Sequence, residues 1–243
     1  MNVTGSTHIG LVRQNNQDAL EFGPLGPLTQ FAVVCDGMGG ANGGNVASNI
    51  AVRVISERIR EGFGEGRSVH SADHLLASAN AAANAEIFET ASADETLEGM
   101  GTTVVTVVTR GHLAYISHVG DSRLYLWRGG ELTQITRDHS VVQELIEKGQ
   151  ITEEQARSHP RKHFITRALG VSPEESGEYD ELDLEAGDRL LLCTDGLTNT
   201  VERDAVAAIL AESDGQTVVD ALIRAALDGG GSDNVTVVIM DIT

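Results

Sequence analysis

Phe31-Ala32-Val33-Val34-Cys35-Asp36-Gly37-Met38-Gly39-Gly40 is an apolar run that closes on a carboxylate and a glycine-rich turn. Its length and apolar continuity predict a strand over Gln30–Cys35, buried on both faces. A carboxylate at the end of such a strand sets a hard anionic oxygen at the rim of a sheet. The glycines behind it permit close backbone approach, including a carbonyl turned toward an ion. Thr194-Asp195-Gly196-Leu197 repeats the pattern after Leu190-Leu191-Leu192. Gly120-Asp121-Ser122-Arg123 and Gly231-Ser232-Asp233-Asn234 set two more aspartates beside apolar strands, and Asp18 is a fifth. Carboxylates gathered at one rim cannot all stay ionised without a counter-charge. Hard divalent cations supply one through oxygen ligands. The chain therefore reads as a binuclear or trinuclear metal site built on strand ends.

Outward from these aspartates, Thr7–Val12, Thr102–Thr109, His112–Val119, Arg123–Trp127, Glu131–Ile135, Glu181–Leu184, Arg189–Thr194 and Asn234–Ile242 read as further strands. Arg110-Gly111 and Arg128-Gly129-Gly130 are the turns of two hairpins. Apolar residues at helical spacing predict helices over Asn45–Ile59 and Asp73–Thr90, with Gly62, Gly64 and Gly66 breaking the first, and over Asp204–Leu210 and Thr217–Ala226. Hairpins with helices grouped between blocks of strands argue for antiparallel sheets. The expected fold is α+β: a four-layer α-β-β-α sandwich of two packed, mainly antiparallel sheets flanked by helices. Ser140 and Thr152 each stand three residues before a Gln, the capping-box spacing, so two short helices start there. They lie in a helical flap insertion at about 136–170, within a single domain over 1–243. This segment holds Arg137, Lys148, Arg157, Arg161, Lys162 and Arg167.

The chain has 243 residues, 41% of them hydrophobic, enough for one large core. Its formal charge of −19 makes nucleic acid and anionic membranes poor partners. Strand parity points Cys35 away from Asp36 and Cys193 to the side of Asp195, so the two cysteines read as free thiols of a reducing compartment. No apolar run has membrane-spanning length. Residues 1–10 lack a basic stretch followed by an apolar one. The expectation is a cytoplasmic monomer.

The ordered blocks extend over almost the whole chain. They are Gly10-Leu11-Val12-Arg13-Gln14-Asn15-Asn16-Gln17-Asp18, Asp36 to Gly40, Met100-Gly101-Thr102-Thr103, His118-Val119-Gly120-Asp121-Ser122-Arg123, Asp138-His139-Ser140, Thr166-Arg167-Ala168-Leu169-Gly170, Thr194-Asp195-Gly196-Leu197 and Asp233-Asn234-Val235-Thr236. In this order and spacing the chain resembles the metal-dependent Ser/Thr protein phosphatases of type 2C, the PPM family, in their bacterial form. The resemblance implies hydrolysis of phosphoserine and phosphothreonine in proteins by a metal-activated water, with no phosphoenzyme, reversing Ser/Thr kinase signalling. It implies that Asp36 bridges two Mn²⁺ or Mg²⁺ ions and that the Gly37 carbonyl binds one of them. Asp195 and Asp233 then complete the second ion's ligands, and Asp121 with Asp195 holds a third, weaker ion. Asp18 acts through a metal-bound water, and Arg13 holds the substrate phosphate with its guanidinium fork. The implied partners are phosphorylated proteins, a Ser/Thr kinase and its substrates. The alternative is a metal-loaded module that binds phosphoproteins without turnover.

Two departures from the family pattern stand out. Gln17 occupies a position that is often Glu, and Met38 and Ala41 occupy positions where many relatives carry a proton-donating His. His139 and His163 are the candidates to replace that donor. The pairs His70/His74 and His159/His163 have chelating i, i+4 spacing but lack the Glu of a zinc-peptidase helix, and read as solvated helix ends.

Overall fold

The computed structural model describes residues 1–40, 43–63, 71–211 and 215–243. The strands are β1 Asn2–His8, β2 Asp18–Gly26, β3 Thr29–Met38, β4 Gly101–Thr102, β5 Val104–Arg110, β6 Leu113–Val119, β7 Arg123–Arg128, β8 Glu131–Gln134, β9 Glu178–Asp183, β10 Arg189–Cys193 and β11 Val235–Asp241. The helices are α1 Gly43–Phe63, α2 Ala72–Ala93, α3 Val141–Glu147, α4 Glu153–Arg157, α5 Asp195–Thr198, α6 Arg203–Leu210 and α7 Gly215–Asp228. One sheet runs β1-β11-β10-β7-β8; the other runs β2-β3-β5-β6-β9, with β4 on β3. Every pairing is antiparallel.

Strand alternation builds three apolar layers. Phe31, Val33 and Cys35 of β3 face α1 and α2, where Ile55, Ile59, Leu76 and Ile87 cover them. Ala32 and Val34 point the other way, onto Leu190, Leu192, Val238 and Met240 of the second sheet. Leu191, Cys193, Val237 and Ile239 turn outward against Val206, Leu210, Val218 and Leu222 of the remaining helices. Three apolar layers between four structural ones make the α-β-β-α sandwich. A strand buried on both faces reads as an unbroken apolar run, which is why the sequence shows runs there and not alternation.

Several boundaries differ from the sequence reading. The first strand is Asn2–His8, not Thr7–Val12, because its length is set by seven-residue register with β11, from Asn2↔Asp241 to His8↔Val235. β3 does not stop at Cys35: it carries Asp36, Gly37 and Met38, since Gly37 and Met38 pair with Thr102 and Gly101. Pro27 and Leu28 form the tight turn from β2 into β3; β2 is a strand the sequence reading missed because most of its residues on both faces are only half-buried. Gly62 lies inside α1 rather than ending it, while Gly64 and Gly66 fall outside the described residues. β10 ends at Cys193 and α5 starts at Asp195, so strand parity does not carry across to that carboxylate. Both cysteines are buried free thiols.

The segment between β8 and β9 carries α3 and α4. Ser140 accepts from the Gln143 amide, and Thr152 with Gln155 forms a complete capping box. No helix among the described residues is long and apolar enough to cross a membrane.

Candidate metal centre

Asp18 opens β2 and stands directly opposite Asp36 of β3. Both point into the space between the sheets, in phase with Leu20, Ala32 and Val34. From the other sheet Thr194 and Thr236 reach across, and their hydroxyls donate to Asp18 Oδ2 at 2.9 and 2.7 Å. Asp18 Oδ1 is buried with no hydrogen-bond partner among the described residues. Asp18 is buried, whereas Asp36, Asp121, Asp195 and Asp233 each keep part of their surface open.

Backbone clamps hold the other carboxylates in place. Thr103 takes both polar backbone groups of Asp36: its Oγ1 accepts from the Asp36 amide at 3.0 Å, and its own amide donates to the Asp36 carbonyl at 2.9 Å. The Thr103 hydroxyl also meets Ser122 Oγ at 2.7 Å, tying Asp36 to the turn that carries Asp121. Gly37 is pressed against the start of α1: a Cβ there would lie 2.0 Å from the Gly44 carbonyl oxygen. Asn199 donates to Asp195 Oδ2 at 2.9 Å. Asn234 accepts from the Gln17 amide at 2.8 Å and donates to the carbonyls of Ile9 and Asn15, which anchors the loop carrying Arg13 beside Asp233. Arg13 Nη2 donates to Asp233 Oδ2 at 2.8 Å. Gln17 donates to the Gly40 carbonyl at 3.1 Å, a neutral link where an acid would add charge.

The electrostatics follow from crowding. Burial, then Asp18, Asp195, Asp121 and Asp233, hold the Asp36 carboxyl well above its ordinary value. Burial raises Asp18 to about 7 against the pull of its two threonine hydroxyls, with Asp195 and Asp233 adding to the rise. Burial, then Asp195 and Asp138, raise Asp121 to about 7. Asp195 is also raised, first by burial and then by Asp233, with His163 opposing. Among the described residues, none of Asp18, Asp36, Asp121 and Asp195 forms an ion pair; the nearby Arg123 is committed to Asp138. A group of oxygen donors that raise one another's pKa, with one buried oxygen left unpartnered, fits hard divalent cations.

The histidines separate in space. His139 is buried with both ring nitrogens committed, Nδ1 accepting from the Gly120 amide and Nε2 facing Glu178, so neither is free to donate at the aspartates. His163 is exposed and close enough to Asp195 to affect it. His159 accepts from the Arg161 amide, His74 lies exposed on α2, and His70 and Ala41 fall outside the described residues. His118, His139 and Glu178 hold donor atoms within 4.8 Å of one another. The two rings stack at 4.6 Å and 22°, so their in-plane lone pairs run past each other and do not converge on one ion. The expected basic flap is largely neutralised at home: Arg137 pairs with Glu147, Lys148 with Glu144, Arg157 with Glu202 and Arg167 with Glu175 and Glu178.

Sequence reasoning assigned no role to Thr103, Thr194, Thr236 or Asn234. The available signal was a polar residue interrupting or bounding an apolar strand beside an aspartate.

A family model described as Protein phosphatase 2C matches residues 4–221. The chain is 38% identical over 233 residues to the serine/threonine protein phosphatase PstP of Mycobacterium tuberculosis; the match covers 96% of this chain and 43% of that protein, so the chain spans less than half of that relative. It is 35% identical over 257 aligned positions to the protein phosphatase PhpP of Streptococcus pneumoniae, covering 100% of this chain and 98% of that protein. A crystal structure of the catalytic domain of PstP in complex with 2 manganese ions matches with a TM-score of 0.88 and 35% identity, over 100% of this chain and 98% of that one.

Proposed function

The chain belongs to the protein phosphatase 2C family, and on that premise we propose that it hydrolyses phosphoserine and phosphothreonine in proteins. The observation that carries this reading is the gathering of Asp36, Asp195, Asp121 and Asp18, whose crowding and burial raise their pKa values, with Asp233 at the same rim; a bound cation offsets that crowding. Asp36, Asp195, Asp233 and the Gly37 carbonyl would hold two Mn²⁺ or Mg²⁺ ions, Asp121 with Asp195 a third, and Asp18 would act through a coordinated water. Bound there, such ions supply Lewis acidity and lower the pKa of coordinated water toward neutrality.

The chain's own residues do the rest. Arg13 is exposed at the mouth beside Asp233 and offers its guanidinium fork to the phosphate oxygens, where charge develops. Thr103 fixes the Asp36 backbone, and the Thr194–Asp18–Thr236 bridge fixes the spacing of the two sheets beneath it. Orienting groups of this kind favour an in-line geometry, in which positioning and electrostatics carry most of the rate. His163, exposed and close enough to Asp195 to affect it, would be the histidine available to a departing Ser or Thr oxygen. The 136–170 segment serves as a flap over this mouth and selects among phosphoproteins.

In this reading the partners are a Ser/Thr kinase and its phosphorylated substrates. In the same reading the chain acts in the cytoplasm as a monomer. Phosphate release from a phosphothreonine peptide with Mn²⁺, Mg²⁺ or chelator tests the proposal. Metal-dependent release that Asp36→Asn removes supports it; peptide binding without release points to the non-hydrolytic module.

A further inference from the structure

Gly120 has φ +101° and precedes Asp121 at the end of β6. Both of its backbone polar groups go to a single residue far along the chain. Its amide donates to His139 Nδ1 at 3.1 Å, and its carbonyl accepts from the His139 amide at 2.9 Å. The peptide cannot relax toward its other side, because Thr103 fills the space where a Cβ would stand.

The opposite edge of the ring is equally committed. Since Nδ1 accepts, the ring proton sits on Nε2, which faces Glu178 Oε1 at 3.1 Å. Arg167 Nη1 donates to the same carboxylate oxygen at 2.9 Å, and Arg167 is itself tied to Glu175 at 2.7 Å. The ring stacks on His118, whose Nε2 meets the Arg137 carbonyl at 2.8 Å. The His139 carbonyl accepts from the Thr166 amide at 2.8 Å. Chain entering the α3–α4 segment and chain leaving it therefore meet at His139. Burial, then His118 and Arg167, lower the pKa of the ring, which keeps it neutral and keeps Nδ1 an acceptor.

We infer that His139 is a positioning residue: through its two bonds to Gly120 it sets the direction in which Asp121 presents its carboxylate, with Glu178 and Arg167 holding the ring from behind. This rests on the proposed reading of Asp121 as a ligand of the weaker cation. Groups that orient a metal ligand without touching the ion characteristically tune affinity at that ligand's own site. His139 thereby links the base of the α3–α4 segment to one cation position and leaves the Asp36–Asp233 side to other clamps, Thr103 and Asn234.

Calorimetric titration of the whole chain with Mn²⁺ tests this, using Asp121→Ala, His139→Leu, His139→Asn and Arg167→Met. Asp121→Ala should remove the weakest binding step and keep the tighter ones. His139→Leu should weaken that same step about 10-fold or more, the usual loss for an orienting partner. Asn places an oxygen near the Nδ1 position, so His139→Asn should recover most of that loss. If His139→Leu no longer melts cooperatively, Arg167→Met decides: selective weakening of the weakest step supports the inference, and an unchanged step overturns it. Equal weakening of every step, or a His139→Leu titration like that of the wild type, also overturns it. An Asp121→Ala titration like that of the wild type would instead refute the reading of Asp121 as a ligand, and the inference with it.

Discussion

Asp18 and Asp36 stand directly opposite each other across the antiparallel pairing of β2 with β3. Like charges in that relation destabilise a strand pair. The fold adds burial to the cost at Asp18 and leaves its Oδ1 without a hydrogen-bond partner among the described residues. An arrangement that strains the protein by itself becomes favourable once a cation stands between the oxygens. At about 100 times its dissociation constant, Mn²⁺ should therefore stabilise the fold by about 2.7 kcal/mol, roughly 5–10 °C in Tm for a domain of this size. Thermal melts with Mn²⁺ and with chelator check this, and coincident curves would remove the cation from the account.

The same strain sets a pH dependence for the metal-free protein. Asp18 and Asp121 have folded-state values of about 7, above the ordinary aspartate value of 3.8. The native state then keeps protons that the unfolded chain has released, so stability falls as pH rises from about 4 through about 7. Below that window the contribution is fully present. Cation binding displaces the same protons and tightens over the same range. In chelator the protein should melt higher near pH 5 than near pH 8, and the Mn²⁺ increment should be larger near pH 8. The net charge of −19 pushes the chelated protein the same way through self-repulsion. The double variant Asp18→Asn, Asp121→Asn separates the two effects, because only the local one flattens in it.

Asp36→Asn, Asp195→Asn and Asp233→Asn should each lower kcat/KM by about 10³-fold or more, an estimate on the scale of losing a main electrostatic group of a site. Asp36→Asn and Asp195→Asn each lose one of the crowded negative charges, so those metal-free variants should melt no lower than the wild type, whereas Asp233→Asn also gives up its ion pair with Arg13. Asp18→Asn should cost less activity, about 10–100-fold, the range for a group that acts through another ligand. A metal-free Asp36→Asn protein that melts well below the wild type would show that the carboxylate is structural.

Arg13 tests the mouth of the site. Arg13→Ala should reduce kcat/KM by about 10²-fold, and Arg13→Lys should recover part of it as a point charge without the fork. Because Arg13 Nη2 holds Asp233 Oδ2 at 2.8 Å, removing it also takes a competing cation from a proposed ligand. Mn²⁺ affinity measured by titration should then rise in Arg13→Ala. A fall would mean that Arg13 steadies Asp233 rather than competing for it.

The layered sandwich was legible in the sequence because strands covered on both faces leave continuous apolar runs, as in Phe31–Cys35 and Leu190–Cys193. Asp36, Asp121, Asp195 and Asp233 were legible because each stands beside such a run, whereas Asp18 opens β2, which shows none. What could not be read is what depends on partners distant in the chain. Thr194 and Thr236 matter through Asp18, more than 170 positions away; a polar residue in or beside an apolar strand marks them locally, but not the partner they serve. β2 was missed because its outer residues are half-covered and keep no clean period. The flap's basic residues stand out in the sequence, but their acidic partners are brought in by folding; among the described residues, Arg161 and Lys162 are its basic side chains that form no ion pair.

Gly37 shows how a correct residue can be read for an incomplete reason. The sequence suggested a glycine that lets a carbonyl approach an ion. The structure adds a packing demand: a Cβ would lie 2.0 Å from the Gly44 carbonyl oxygen and 2.6 Å from that of Gln17. Neither is the end of a flexible side chain, so Gly37→Ala must move the start of α1 or the loop before Asp18. Overpacking of this kind costs about 1–3 kcal/mol. It also shifts two backbones that flank Asp36, so the variant should lose Mn²⁺ affinity as well as Tm. Gly129→Ala is the control: it sits at φ +58° in a hairpin turn, with open space where its Cβ would stand. It should lower Tm by a comparable step through backbone strain and leave Mn²⁺ binding untouched. Equal Mn²⁺ affinity in the two variants would mean that the contact of Gly37 with α1 does not shape the site.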